Sequence, residues 1–212
     1  MPIPMPLDTW LAFVAASAVL LVLPGPTILT VISYSIAHGR HANLPLVAAV
    51  ALGDATALAL SLIGLGALLQ ASAAWFTAIK WAGGLYLLYL GMRMLRAGLG
   101  DEPAIAPRAP GSRWRLFANT YLVTALNPKG VVFFVAFLPQ FVDPAAPVAP
   151  QLRVLAVTFV AMATLNAALY ALFAATARRM LATARARRRF HLVGAGLLSG
   201  AGVWALLARR VG

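Results

Sequence analysis

Of 212 residues, 62% are hydrophobic and only 10% charged, against about 45–50% and about 25% in ordinary soluble domains. Water could not dissolve a fold with so much apolar surface at this length, which excludes a soluble enzyme, a secreted disulfide scaffold and a disordered chain. The 17 Lys+Arg against 5 Asp+Glu give a net charge of +12; because the arginines lie between long apolar runs, the expected partner is an anionic lipid leaflet and not nucleic acid. The lack of cysteine removes thiolate chemistry and Cys-ligated metals.

A membrane span needs about 20 apolar residues. Stretches 8–36, 43–69, 74–97, 115–142, 151–176 and 190–208 qualify, so the chain is expected to be an all-α membrane protein of six helices. Ala15-Ala16-Ser17-Ala18 resembles a signal-peptide cleavage site. No basic residue precedes it, and the apolar run is too long, so the segment reads as a retained first span.

At the centre of that span stands Leu23-Pro24-Gly25-Pro26-Thr27. Proline lacks a backbone donor and clashes with the carbonyl four residues back, and glycine weakens a helix further. Two prolines flanking a glycine predict a broken helix, with Pro26 starting a half-helix towards Ala37. The plainer alternative is a kink repaired by neighbouring helices. Span two carries Asp54 deep among apolar residues. Span three carries Lys80 a turn from its end, where lysines snorkel to the interface.

Residues 98–113, with three prolines and two acids, read as a linker between repeats at 1–97 and 114–212. Span four has its own break at Asn127-Pro128-Lys129-Gly130. Asn is a preferred N-cap and Pro is favoured at the first helical position, so a second half-helix should run from Pro128 towards Phe141. Span five holds Asn166. Span six holds Gly196-Leu-Leu-Ser-Gly200, a GxxxG pattern open to two readings: a homodimer face, or close packing within one chain. His38, His41 and His191 read as solvated, and no spacing suggests a metal site.

With the N-terminus outside, inner loops hold Arg40, Arg93, Arg96, Arg108, Arg113, Arg115, Arg178, Arg179, Arg185, Arg187, Arg188 and Arg189, and outer segments only Arg153, Arg209 and Arg210. That asymmetry predicts both termini outside. Trp10, Trp75, Trp81 and Trp204 would mark outer ends, Tyr34 and Trp114 inner ones. Three spans on each side of the linker force any internal repeat to be inverted. The pairs Pro26 with Pro128, Asp54 with Asn166, and Gly83/Gly91 with Gly194/Gly202 fit such a repeat.

Interrupted helices at matching depth place free N–H groups and positive dipole ends near mid-membrane, which suits a carboxylate. Gly25, Thr27, Asn127, Lys129, Gly130 and Asn166 are therefore candidate substrate ligands, shaped by Pro24, Pro26 and Pro128. A buried ion pair is the plainer reading of Asp54 and Lys129. The sharper one assigns Lys129 to a substrate carboxylate, and Asp54 to a substrate ammonium or to a coupling proton.

Taken in order, Pro24-Gly25-Pro26, Gly53-Asp54, Lys80-Trp81 to Gly91, Asn127-Pro128-Lys129 and Phe137-Leu138-Pro139-Gln140-Phe141 resemble the lysine-exporter (LysE) superfamily, in its homoserine/threonine-exporter (RhtB-like) branch. The resemblance implies a bacterial inner-membrane exporter of amino acids or similar zwitterions, driven by proton antiport, with no cofactor. A membrane scaffold without transport is the competing class, marked by intact helices at Pro24 and Pro128. An intramembrane enzyme would need a nucleophile–base pair or a metal cluster, which the sequence does not offer.

Overall fold

The computed structural model describes residues 5–23, 25–71, 112–143, 145–176 and 183–207, with residues 81, 85, 88, 89, 91–93, 95 and 96 between them. Pro24, Trp75, Lys80, Gly83 and most of the expected linker lie outside the described residues, as does the side chain of Trp204. The described residues are helical or in turns, with no strand among them.

Helix α1 spans Leu7–Val22 and stops where the sequence leaves helical backbone, with Leu23 extended at ψ 109°. Helix α2 restarts at Pro26 and runs to His38. Gly39, at φ 65°, takes a left-handed conformation that other residues adopt at a cost. A 3-10 turn at Gly39–Ala42 then leads into α3, Asn43–Ala71. Thr27 and Asp54 line one cavity, although each lies about 18 Å along its helix from that turn at 1.5 Å per residue. The chain must therefore double back at Gly39–Ala42.

The second half repeats the pattern of a broken helix. Helix α4 spans Arg113–Ala125, with Ser112 as its N-cap accepting from the Arg115 N–H. Helix α5 begins at Pro128 and is regular only to Val132. It widens into a π-turn at Phe133–Phe137 and tightens into a 3-10 turn at Leu138–Phe141. Pro139 accounts for the change. It has no N–H to return to the Val135 carbonyl and its ring crowds that oxygen, so a regular α-turn cannot be completed there. Helices α6, Val148–Leu172, and α7, Ala184–Leu207, complete the described fold.

Among the described residues, three helical stretches, Pro26–Gly64, Arg113–Phe141 and Val148–Leu172, are long and apolar enough to cross a membrane. Between helices in lipid there is little hydrophobic driving force, so close packing and hydrogen bonds must hold them together. Helix α3 packs along both α4 and α6, and α6 also carries α1 and α2. The crossing of α3 and α4 is tight: a Cβ on Gly53 would sit 2.7 Å from Cβ of Thr124. A Cβ on Gly91 would overlap the Ser199 hydroxyl of α7, so a second glycine permits a second close approach.

Beside the α5 turns, Phe13, Phe133, Phe134, Phe137, Phe141 and Phe159 are all buried in one cluster. Phe134 meets Phe159 edge-on at 4.7 Å, and Phe13 meets Phe141 at 5.3 Å. Such pairs contribute about 0.5–1.5 kcal/mol each beyond their area.

Several sequence expectations need correction. Tyr34 is not an interfacial anchor; it is buried, and its hydroxyl accepts from Asn119 Nδ2 at 3.0 Å. His38 is half-buried, with Nδ1 3.2 Å from the Tyr34 carbonyl, because it closes the last turn of α2. His191 is also half-buried, while His41 is exposed as expected. Helix α7 starts at Ala184, before the expected 190, because Thr183 accepts from the Ala186 N–H; Arg185 to Arg189 therefore lie on the helix and not in a loop. Among the described residues, nothing lies within 4 Å of a Cβ built on Gly196 or Gly200 of the GxxxG pattern.

Candidate functional site at the two helix breaks

Both breaks open on one cavity of about 30 Å³, which holds about two waters and is too small for an amino acid. Gly25, Thr27, Asp54, Asn127, Lys129, Gly130 and Asn166 all line it. Pro26 and Pro128 each occupy the first helical position of a half-helix, as the sequence predicts. The members of the pair Asp54 and Asn166, separated by 112 positions in sequence, meet in the same cavity.

The first break leaves two sets of unsatisfied backbone groups, as any helix end does. At the N-terminus of α2, Gly25 offers no side-chain cap, and Pro26 has no N–H to satisfy. The next intrahelical bond runs from Leu29 N–H to the Gly25 carbonyl. The N–H groups of Thr27 and Ile28 thus have no acceptor within the helix, and both residues line the cavity.

At the C-terminus of α1, the Val19 carbonyl takes the Leu23 N–H at 3.4 Å. The next four carbonyls are satisfied by side chains from the other half of the chain. Lys129 Nζ donates to Leu20 O at 2.7 Å and to Leu23 O at 2.9 Å. Asn166 Nδ2 donates to Leu21 O at 3.0 Å, and the Tyr170 hydroxyl donates to Val22 O at 2.8 Å. A cation at a helix C-terminus also meets the negative end of its dipole. Sequence reasoning missed Tyr170; its only signal was one hydroxyl a helical turn beyond Asn166.

The second break is closed locally. Leu126 N–H returns to Leu122 O, and Asn127 N–H to Thr124 O, both at 3.0 Å. The Asn127 side chain accepts from its own helix at Lys129 N–H, 3.1 Å away, as the N-cap reading predicts. Its amide then reaches across the cavity to donate to Thr27 Oγ1 at 3.2 Å. That bond joins the two breaks alongside the two that Lys129 makes to the end of α1.

Asp54 is 8% exposed. A Cβ on Gly130 would lie 4.0 Å from Asp54 Oδ1, so this glycine leaves the carboxylate its room. A Cβ on Gly25 would lie 3.5 Å from Lys129 Nζ, which places the ammonium directly over the first break. Lys129 and Asp54 thus face one cavity, but no hydrogen bond or ion pair joins Asp54 to any described residue. No group of three or more metal-ligating side chains occurs among the described residues.

Residues 18–209 match the family described as LysE type translocator. An uncharacterized membrane protein of Vibrio cholerae is 30% identical over 208 residues, covering 97% of this chain and 100% of the relative. A homoserine/homoserine lactone efflux protein of Salmonella typhimurium is 35% identical over 155 residues, 73% of this chain and 74% of its own. A leucine efflux protein of Salmonella choleraesuis is 31% identical over 141 residues, 66% of each chain. No solved structure matches significantly.

Proposed function

The chain belongs to the LysE type translocator family, in its RhtB-like branch, as a membrane transporter and not an enzyme, and on that premise we propose that it exports a small zwitterionic amino acid by proton antiport. The observation that carries the reading is the central cavity, where two helix breaks bring Asp54, Asn127, Lys129 and Asn166 together. The relatives' named substrates, homoserine, its lactone and leucine, share an α-amino group on a small carbon frame.

The substrate carboxylate faces the uncapped N-terminus of α2, with the Thr27 and Ile28 N–H groups as donors, and Lys129 and Gly130 beside it. Asn127 and Asn166 orient it. Asp54 is the coupling carboxyl: a buried carboxylate alternately holding a proton and facing substrate links the two fluxes. The cavity's small volume fits an occluded conformation, which must widen to admit substrate. The two halves act as inverted repeats, 1–97 and 114–212 about the 98–113 linker, in a six-helix bundle of a bacterial inner membrane. Both termini lie outside, with the arginine-rich segments between spans on the anionic cytoplasmic leaflet.

The test is a counterflow screen of radiolabelled amino acids with the purified chain in proteoliposomes. Saturable counterflow of a small neutral amino acid, stimulated in net export by an opposing proton gradient, is the expected result. A folded protein that exchanges no amino acid would overturn the reading.

A further inference from the structure

The bonds that Lys129 makes are those a substrate's own ammonium would make. Its Nζ sits at 2.7 and 2.9 Å from two carbonyls at the end of α1, in the cavity that Asp54 also lines. Asp54 is 8% exposed, accepts no hydrogen bond from any described residue, and borders the same space across Gly130. A buried carboxylate without a donor is expensive in a membrane and calls for a cation that can come and go. The acceptors are therefore present for a primary ammonium, and one primary ammonium already occupies part of them.

We propose that the Leu20 and Leu23 carbonyls with Asp54 form the subsite for the substrate's α-ammonium, and that Lys129 occupies it as an internal surrogate until substrate displaces it. This rests on the exporter reading above and names the group recognised. An arriving ammonium takes the carbonyls and gains Asp54 as counter-ion. Lys129, released from α1, swings the length of its four-carbon stem towards the carboxylate of the same molecule. One residue thus serves the empty and the loaded site with a single charge, and the cavity never holds two ammonium groups on one set of carbonyls.

The exchange also explains the small volume, since the Lys129 stem fills space that the substrate would use. Lys129 anchors two of the four carbonyls at the end of α1, with Asn166 and Tyr170 holding the others. Substrate binding therefore removes the charged part of the tether between the halves. That is a differential contact of the kind a conformational change requires.

The test uses the full chain in proteoliposomes and pairs competition with a structural readout. Each protein amino acid is offered as competitor beside its methyl ester, which keeps the ammonium and lacks the carboxylate, and its deaminated acid, which does the reverse. Esters should compete with counterflow and deaminated acids should not. In Lys129→Met the esters should bind about tenfold more tightly, because the resident competitor is gone. The second measurement needs no variant and so stands even where Lys129→Met fails to fold. With Lys Nζ labelled by nitrogen-15 and Leu carbonyls by carbon-13, solid-state NMR should show the Lys129 contact to Leu20 and Leu23, and saturating ester should abolish it. Persistence of that contact in the loaded protein, or competition by deaminated acids equal to that of esters, would overturn the proposal while leaving the exporter reading standing. If no amino acid competes, the exporter reading itself falls, and this subsite with it.

Discussion

The two helix breaks look alike in sequence and are built differently. At Asn127 the chain draws on itself: the Leu122 and Thr124 carbonyls of α4 accept from the Leu126 and Asn127 N–H groups, and Asn127 caps the helix it begins. At Gly25 it does not. Four carbonyls of α1 depend on Lys129, Asn166 and Tyr170, all more than a hundred residues away in sequence, and α2 starts without a side-chain cap. One break is a self-contained joint and the other is completed by the opposite half. On the exporter reading proposed above, movement between the halves would disturb the first break before the second. Substitutions at the borrowed contacts should accordingly act on α1, and loss of the local cap chiefly on α5.

The largest effect is expected at Lys129. Lys129→Ala removes both charged bonds to α1 and leaves Asp54 without a cation in its cavity. Hydrogen bonds to a charged group contribute about 1.5–3 kcal/mol each. Counterflow of zwitterions should be abolished, and the detergent-solubilised protein should lose on the order of 3 kcal/mol of stability. Lys80→Ala should leave both within about twofold of the parent, if lysines near a span end snorkel to water as they usually do. Equal losses in the two variants would remove Lys129 from the site.

Asp54→Asn comes next, and is expected to act on transport more than on fold, because Asp54 accepts no hydrogen bond from a described residue. If Asp54 is only the proton carrier, export against a gradient should vanish while equilibrium exchange persists. If it also holds the substrate ammonium, as argued above, both should vanish. Full gradient-driven export by Asp54→Asn would leave Asp54 as packing.

At the self-contained break the effect should be smaller and rescuable. Asn127→Ala loses an N-cap, which costs about 1 kcal/mol, together with the bond to Thr27. Asn127→Ser keeps a capping oxygen and loses only the reach across the cavity. Stability should recover in Asn127→Ser while counterflow stays several-fold reduced. Recovery of both would mean that the Asn127–Thr27 bond does nothing for transport.

Legibility in the sequence followed the range of the interaction. The breaks could be read because proline and glycine act on their own few residues, and Asn127 as an N-cap is equally local. Asp54 and Lys129 stood out because charge deep in an apolar span needs a reason. What Lys129 touches was not legible, since the α1 carbonyls lie 106 and 109 positions away and carbonyls have no sequence signature. Tyr34 was misread for a related reason. A tyrosine near a span end looks the same whether it faces headgroups or Asn119, and only the packing of α2 on α4 decides. The π-turn at Phe133–Phe137 was also hidden, although Pro139 six positions after the first of those residues was a local cause in plain view.

Tyr170 offers the finest test of the asymmetry, and the smallest expected effect. Its hydroxyl makes one bond to the α1 end, to Val22 O at 2.8 Å. Tyr170→Phe deletes that donor and keeps the ring, so the packing of α6 on α2 is unchanged. One net hydrogen bond is worth about 1 kcal/mol, and the Val22 carbonyl left behind in a membrane core raises that figure if no water reaches it. The fold should survive with a modest fall in melting temperature, and counterflow should drop about two- to threefold. Hydrogen exchange separates a specific role from general loosening. If α1 depends on borrowed caps, amide protection in Tyr170→Phe should fall in its last turn, around Val19 to Leu23, while α5 keeps its protection beyond Asn127. Equal loss in both segments would mean that the two breaks share one stability, and the contrast between a borrowed and a self-contained joint would fail.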